Sequence, residues 1–248
     1  MKHTNFTKAF REGYSFKPQI LDAGSDSITF SVHNIGNLVL TSGKLIACDP
    51  LLISPSSEGN EPFFTVCLLP NSYPILLSVA TYNPLSKLPA CAMLQVSSQV
   101  PVKWEVALRL GDDLEKGIYA YGVDSGTGCF MDADTLQALI ALVNPENIKN
   151  EARQSLATIL EVEERFEQEF GNRLVQEQDK NYANTGFDWT NLLVSSSTGA
   201  NVITFRSGLG DGVYASYWGY DEADKVVCLV TDFMLFDEDS QIVSELPA

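Results

Sequence analysis

The sequence predicts an α+β fold: a mostly antiparallel β-sheet or partial barrel, with two helices packed on it as one layer. Three observations lead there. Strand-like segments dominate both ends of the chain. The two helix-periodic stretches lie together between them. The last two strand-like segments flank an acidic connection of hairpin length, Asp221-Glu222-Ala223-Asp224-Lys225.

Taken in order, residues up to Lys17 are mildly basic, with a short helix expected around Phe6 to Arg11. Residues 1–27 read as an N-terminal extension and 28–248 as a single α+β domain. Asp22-Ala23-Gly24-Ser25-Asp26 reads as a turn. Ile28 to Val32 and Leu38 to Ala47 read as strands, with Gly36-Asn37 as their hairpin turn. Phe63 to Leu69 and Ile75 to Tyr82 are β-prone and are separated by Pro70-Asn71-Ser72-Tyr73-Pro74. Cys91 to Val96 and the alternating Val102 to Leu108 follow as strands.

The first helix is expected over about 132–144. Asp132 or Asp134 is its N-cap, and Leu136, Leu139, Ile140 and Val143 form its apolar stripe. Asn144-Pro145 ends it. The second is expected over about 150–175, with an apolar stripe from Ala152 to Leu174 and a glutamate-rich outer face. Gln176 to Asn191 is polar and reads as a loop. Val202 to Phe205, Val213 to Tyr220 and Val226 to Phe233 close the chain as strands.

Composition narrows the function classes. The chain has 248 residues, enough to bury a large core. It carries 32 acids against 16 bases. From Asp211 to Ala248 there are nine acids and one base, a net of −8 and half of the formal charge of −16. That balance argues against nucleic acid and anionic membranes as partners, and for a basic protein. No apolar run approaches membrane-spanning length, and the first residues lack a secretory core, so a cytoplasmic protein is expected. Five cysteines, most of them in apolar strand-like runs and with no C-x-x-C spacing, read as reduced thiols. With only His33 and His3 as imidazoles, zinc is not expected. No cofactor is expected; a divalent cation on converging carboxylates is the one that the residues admit.

Three acid-bearing motifs sit at strand ends. The first is Ser42-Gly43 through Cys48-Asp49-Pro50. The second is Tyr121-Gly122-Val123-Asp124-Ser125-Gly126-Thr127-Gly128, running on to Asp132. The third is Ser207-Gly208-Leu209-Gly210-Asp211-Gly212, followed by the aromatic strand Tyr214, Tyr217, Trp218 and Tyr220. Asp124-Ser125-Gly126 admits three readings. It matches the triplet of an aspartic protease, but has no second copy. It also fits a phosphate-cradling turn like those of sugar kinases and actin-like ATPases. Or it is a structural turn in which Asp124 bonds its own loop. Ser125 and Ser207 have only His33 as a candidate imidazole base, a poor basis for a Ser-His-Asp triad.

These motifs, in this order and together with Asp232-Phe233, resemble an uncharacterised, mainly bacterial family of domains of unknown function. The resemblance covers roughly Leu38 to Phe236. The family more often carries Asp-Ala-Gly at the Asp124 motif, which implies that Ser125 is not catalytic. It implies no activity.

Two function classes therefore stand at the level of sequence. One is an immunity-like recognition protein that binds a basic partner through Gly208, Gly210, Asp211, Gly212, Tyr214, Tyr217, Trp218 and Tyr220. The other is a hydrolase using Asp49, Asp124, Asp132 and Asp211, with or without a divalent metal. Geometry separates them: acids converging in one cleft favour the enzyme, and acids satisfied each in its own turn favour the binder.

Overall fold

The computed structural model describes residues 5–17, 27–53, 63–83, 86–143, 166–235 and 241–244. The strands are β1 (Ser15–Lys17), β2 (Ile28–Leu40), β3 (Leu45–Cys48), β4 (Asn71–Asn83), β5 (Ser86–Gln95), β6 (Lys103–Val106), β7 (Ala120–Val123), β8 (Thr127–Asp132), β9 (Trp189–Leu193), β10 (Asn201–Arg206), β11 (Gly212–Tyr220), β12 (Val226–Asp232) and β13 (Gln241–Ser244). Helix α1 spans Ala133–Val143 and α2 spans Asn172–Thr185, the latter entered through a π-helical turn at Glu167–Gly171. The fold is α+β, and every strand pair is antiparallel.

The strands form two sheets. A curled nine-stranded sheet runs β13-β1-β2-β4-β5-β12-β11, and the far edge of β11 is shared by β7 and β6. A four-stranded sheet runs β3-β8-β10-β9. Three apolar layers hold the stack together. Leu77, Leu94, Trp218 and Leu229 of the large sheet meet Phe130, Ile203 and Phe205 of the small one. Ile46, Met131 and Val202 on the far face of the small sheet pack on Leu136, Leu139 and Ile140 of α1 and on Phe166, Phe170 and Leu174. Phe30, Ala80 and Val230 on the far face of the large sheet are covered by Phe6 and Ala9. The buried Ser78 hydroxyl donates to the Ala9 carbonyl and pins that cover down.

Several elements differ from the sequence expectation. Residues 28–40 are one long strand, with no hairpin at Gly36-Asn37. An extra residue is inserted there, since β2 pairs in one register up to Asn34 and in a shifted register from Asn37. A bulge of this kind moves the side chains to the other face. Phe30 therefore points to the outer layer, while Leu38 and Leu40, of the same parity, point between the sheets. Pro74, expected in a break, sits inside β4 opposite Asn37 at this bulge. Phe63 and Phe64 make only isolated bridges. Residues 6–13 form consecutive turns instead of a helix.

Of the second expected helix, 150–165 lies outside the described residues, as does the expected turn at 22–26. The described part continues through Thr185, where a loop was expected. Its last turn ends on Gly186 at φ 79°, whose N–H donates to the Tyr182 carbonyl. Asn181 Nδ2 donates to the Trp189 carbonyl at 3.0 Å, tying the helix to β9. Within the N-terminal stretch, β1 pairs with both β2 and β13.

Candidate functional site

Asp49 follows β3, beside the start of β8, and is almost fully buried. Its Oδ2 accepts the N–H groups of Asp124 (3.0 Å) and Ser125 (2.8 Å). Its Oδ1 accepts the Ser125 hydroxyl (2.8 Å) and the Leu51 N–H (2.9 Å). Four donors thus saturate one carboxylate. The Asp-Ser-Gly triplet is a turn fastened to Asp49, with the Ser125 proton directed at that acid. His33 takes no part: it lies 2.8 Å from the Ser31 hydroxyl and packs on Phe187, and burial lowers its pKa. One residue back, the free thiols of Cys48 and Cys129 face each other across β3 and β8 with sulfurs 3.6 Å apart. Burial pushes the Cys129 thiol well up.

Asp132 ends β8 with its side chain fully buried. It accepts the Ser42 hydroxyl (2.9 Å), the N–H groups of Ser42 and Gly43 (3.2 Å each) and the Asp134 N–H (2.9 Å). The last of these bonds caps α1, as expected of an aspartate at that position. The others clasp the loop before β3. Gly43 is required there. Its φ is +77°, and an added Cβ would lie 2.0 Å from the Leu68 carbonyl oxygen. Four residues of β8 separate Asp132 from the position opposite Asp49, a distance of about 13 Å. The four acids therefore do not share one cleft.

Asp124 and Asp211 are the exposed pair, and they share the Asp49 end. The Ser207 N–H donates to the Gly126 carbonyl at 3.0 Å, which joins the two turns. A Cβ on Gly126 would lie 3.6 Å from Gly210 Cα and 4.0 Å from Asp211 Oδ1. The glycine-rich turn is drawn inward by Tyr214, whose hydroxyl donates to the Gly210 carbonyl at 2.7 Å and lies 3.0 Å from the Ser207 carbonyl oxygen. Gly212 leaves room for this ring, since a Cβ there would stand 2.9 Å from it. Gly208 has φ +58°, and its Cβ would meet Phe233 at 2.9 Å.

The aromatic strand is not the exposed recognition face that the sequence offered. Tyr214 and Trp218 are 3% and 2% exposed and belong to the core between the sheets. Tyr217 is half-buried with its ring 5.1 Å from Phe6, and Tyr220 is half-buried under the Lys103 ammonium. The physical reason is that β11 is an interior strand: β12 flanks it on one side, and β6 and β7 on the other. Over most of its length both of its faces are covered, so alternation could not say which was outside.

Two features escaped the sequence reading. Leu209, Val213 and Met234 are exposed by 66%, 63% and 66%. Asp232, at the end of β12, has its carboxyl pushed up to about 6 by burial, against a lowering contribution from the Met234 N–H that it accepts at 2.8 Å. The available signal was an acid ending an apolar strand, as at Asp49. Its neighbours were identifiable only from strand register.

Among the described residues no three histidine, cysteine, aspartate or glutamate side chains are grouped to hold a metal ion. No described helix is long and apolar enough to cross a membrane. No curated protein and no solved structure matches the chain. A family model matches residues 38–231, from the bulge of β2 to β12, and this chain therefore belongs to the family of proteins of unknown function designated DUF4241.

Proposed function

We propose that this protein is an immunity-like recognition protein of the bacterial cytoplasm that binds a basic protein partner through the end of the sandwich bearing Asp124 and Asp211. One observation carries this reading. Asp49 and Asp132, the two buried acids of the set, each accept four or more hydrogen bonds from their own and neighbouring loops, so both hold the fold together. The acids left exposed, Asp124 and Asp211, sit on two turns fastened to each other. Exposed acids on a rigid frame suit the steering of a cationic partner. A carboxylate already holding four donors is poorly disposed to act as base or metal ligand. Five free thiols fit a reducing compartment.

The test sets a thermal-shift scan with Mg2+, Mn2+ and Ca2+ beside titrations with small basic proteins. The recognition reading expects salt-sensitive binding of a basic protein that weakens in the Asp124→Asn/Asp211→Asn double variant. A rise in Tm with a divalent cation, lost in that variant, would overturn it in favour of a metal-dependent hydrolase.

A further inference from the structure

The outer face of the large sheet, opposite the small sheet, is covered along much of its width by Phe6, Ala9 and Tyr14. Among the described residues that cover does not reach Gly122, Val213 or Met234, which are exposed at the β7–β11–β12 end. Tyr121 of β7 lies opposite Tyr214 of β11, and both rings are buried between the sheets. Their strand neighbours must then face outward: Ala120 opposite Ala215, and Gly122 opposite Val213. Gly122 and Val213 are exposed, and the two alanines are half-buried.

The β11–β12 register extends the same surface. Ser216 pairs with Thr231, so one step on Ala215 stands beside Asp232, and two steps further Val213 stands beside Met234. The contact between the rings of Tyr214 and Phe233, with centroids 5.2 Å apart, shows that the alignment continues past the last ladder pair. The result is a shallow floor of small side chains with Val213 and the exposed Met234 at one end and a carboxylate set into it.

Two details point to an occupant. Met234 has φ +58°, a conformation that side chains other than glycine rarely adopt, and its N–H is held there by Asp232 Oδ1. The fold thus stores strain at a residue that it leaves exposed. Secondly, no described lysine or arginine pairs with Asp232 or Asp211, and the nearby Arg206 is engaged with Asp188. The floor is made of small apolar side chains, with the Asp232 carboxylate set into it beside Ala215 and the exposed Asp211 beyond its Val213 end. A second copy of the chain would bring like charges together across an isologous contact, and the chain carries a net −16.

We propose that this bare end of the outer sheet face is a docking site for a basic segment of a partner protein, whose lysine or arginine pairs with Asp232 and whose apolar side chain packs on Val213 and Met234. This rests on the recognition reading above and assigns it a second, apolar contact surface and a partner chemistry. An apolar contact buried on docking, beside a charge pair, is the kind of arrangement in which few residues supply most of the binding energy.

The test is an NMR titration of the full chain with three twelve-residue probes: an alternating lysine–leucine peptide, oligolysine, and the glutamate–leucine counterpart. The lysine–leucine peptide is expected to shift Ala120, Gly122, Val213, Ala215 and Met234, and to bind at least tenfold more tightly than oligolysine. The glutamate peptide is expected not to bind. Asp232→Asn keeps an acceptor for the Met234 N–H and should weaken binding tenfold or more. Val213→Lys, at an exposed position that leaves the core intact, should abolish it. Binding that maps only to Asp124 and Asp211, with affinity unchanged in both variants, overturns the docking site and leaves the recognition reading standing. Failure of both cationic probes to bind overturns the two together.

Discussion

Ser125 is bound to Asp49 through both of its donors, its N–H to Oδ2 and its hydroxyl to Oδ1, each at 2.8 Å. The residues are 76 positions apart in the chain, and the acid is buried where they meet. The turn that looked most like a catalytic triplet is thus one half of a structural clasp.

Replacing Asp49 by asparagine should open that clasp. The amide offers one acceptor oxygen where the carboxylate offered two, and its NH2 faces donors that it cannot satisfy. A loss of about 2–4 kcal/mol is expected. Ser125→Ala, which removes only the hydroxyl bond, should lose about 1 kcal/mol. Urea denaturation of the two variants measures the difference, and equal losses would contradict the assignment.

Two glycines should be intolerant of alanine, to different degrees. At Gly43 the added Cβ would lie 2.0 Å from a backbone oxygen, so the loop before β3 must move as a whole. At Gly208 the clash is with the Phe233 side chain and carbonyl at 2.9 and 3.0 Å. Both also carry the cost of a left-handed conformation, about 1 kcal/mol. Gly43→Ala is expected to be the worse, at about 3 kcal/mol or more. A Gly43→Ala variant melting like the wild type would contradict this.

Tyr214→Phe keeps the buried ring and removes the latch on the glycine-rich turn. The Gly210 carbonyl loses its bond from the phenol. The expected cost is about 1–2 kcal/mol in thermal or chemical melts. Amide exchange should quicken at Gly210, whose N–H is bonded within the turn, more than in β12.

Asp232 should make stability fall as pH rises through the mildly acidic range. Its folded pKa, raised to about 6 from 3.8, favours the protonated carboxyl in the native state. The contribution is fully present below pH 4 and is lost as pH passes 6. The full swing is at most about 3 kcal/mol. Asp232→Asn removes this dependence, so the variant should gain on the wild type between pH 4 and 6.5 and be the more stable at pH 7. Paired urea melts across that range supply the check, and a constant gap would show that Asp232 is not the titrating group.

The sequence disclosed those parts of this architecture that are local. The β11–β12 hairpin was legible because two alternating runs flank a turn in which Asp221 Oδ1 accepts the N–H groups of Ala223 and Lys225. Helix α1 was legible from its stripe and its cap, Asp132. The bulge in β2 was not, because a hairpin turn and a bulge both place glycine at positive φ, and only the partner strand tells them apart. The end of α2 was hidden because after Leu174 no described residue of the helix is buried. The depth of Trp218 depends on strands that arrive from residues 103–106 and 226–232. The clasps that Asp49 and Asp132 make were out of reach for the same reason: apart from the local Leu51 and Asp134 N–H groups, their donors come from 75 to 91 residues away.

Strand β8 has every residue buried, lies between β3 and β10, and carries an acid clasp near each end. Such a strand cannot fray from either terminus without first breaking a multiply bonded carboxylate. In native-state hydrogen exchange its central amides, Cys129 and Phe130, should therefore be among the last to exchange, opening only when the whole domain unfolds. The exposed turn that carries Asp124 is tied to this frame only through Asp49 and the Ser207 bond and should open by smaller excursions, so its acid would move against a frame that does not.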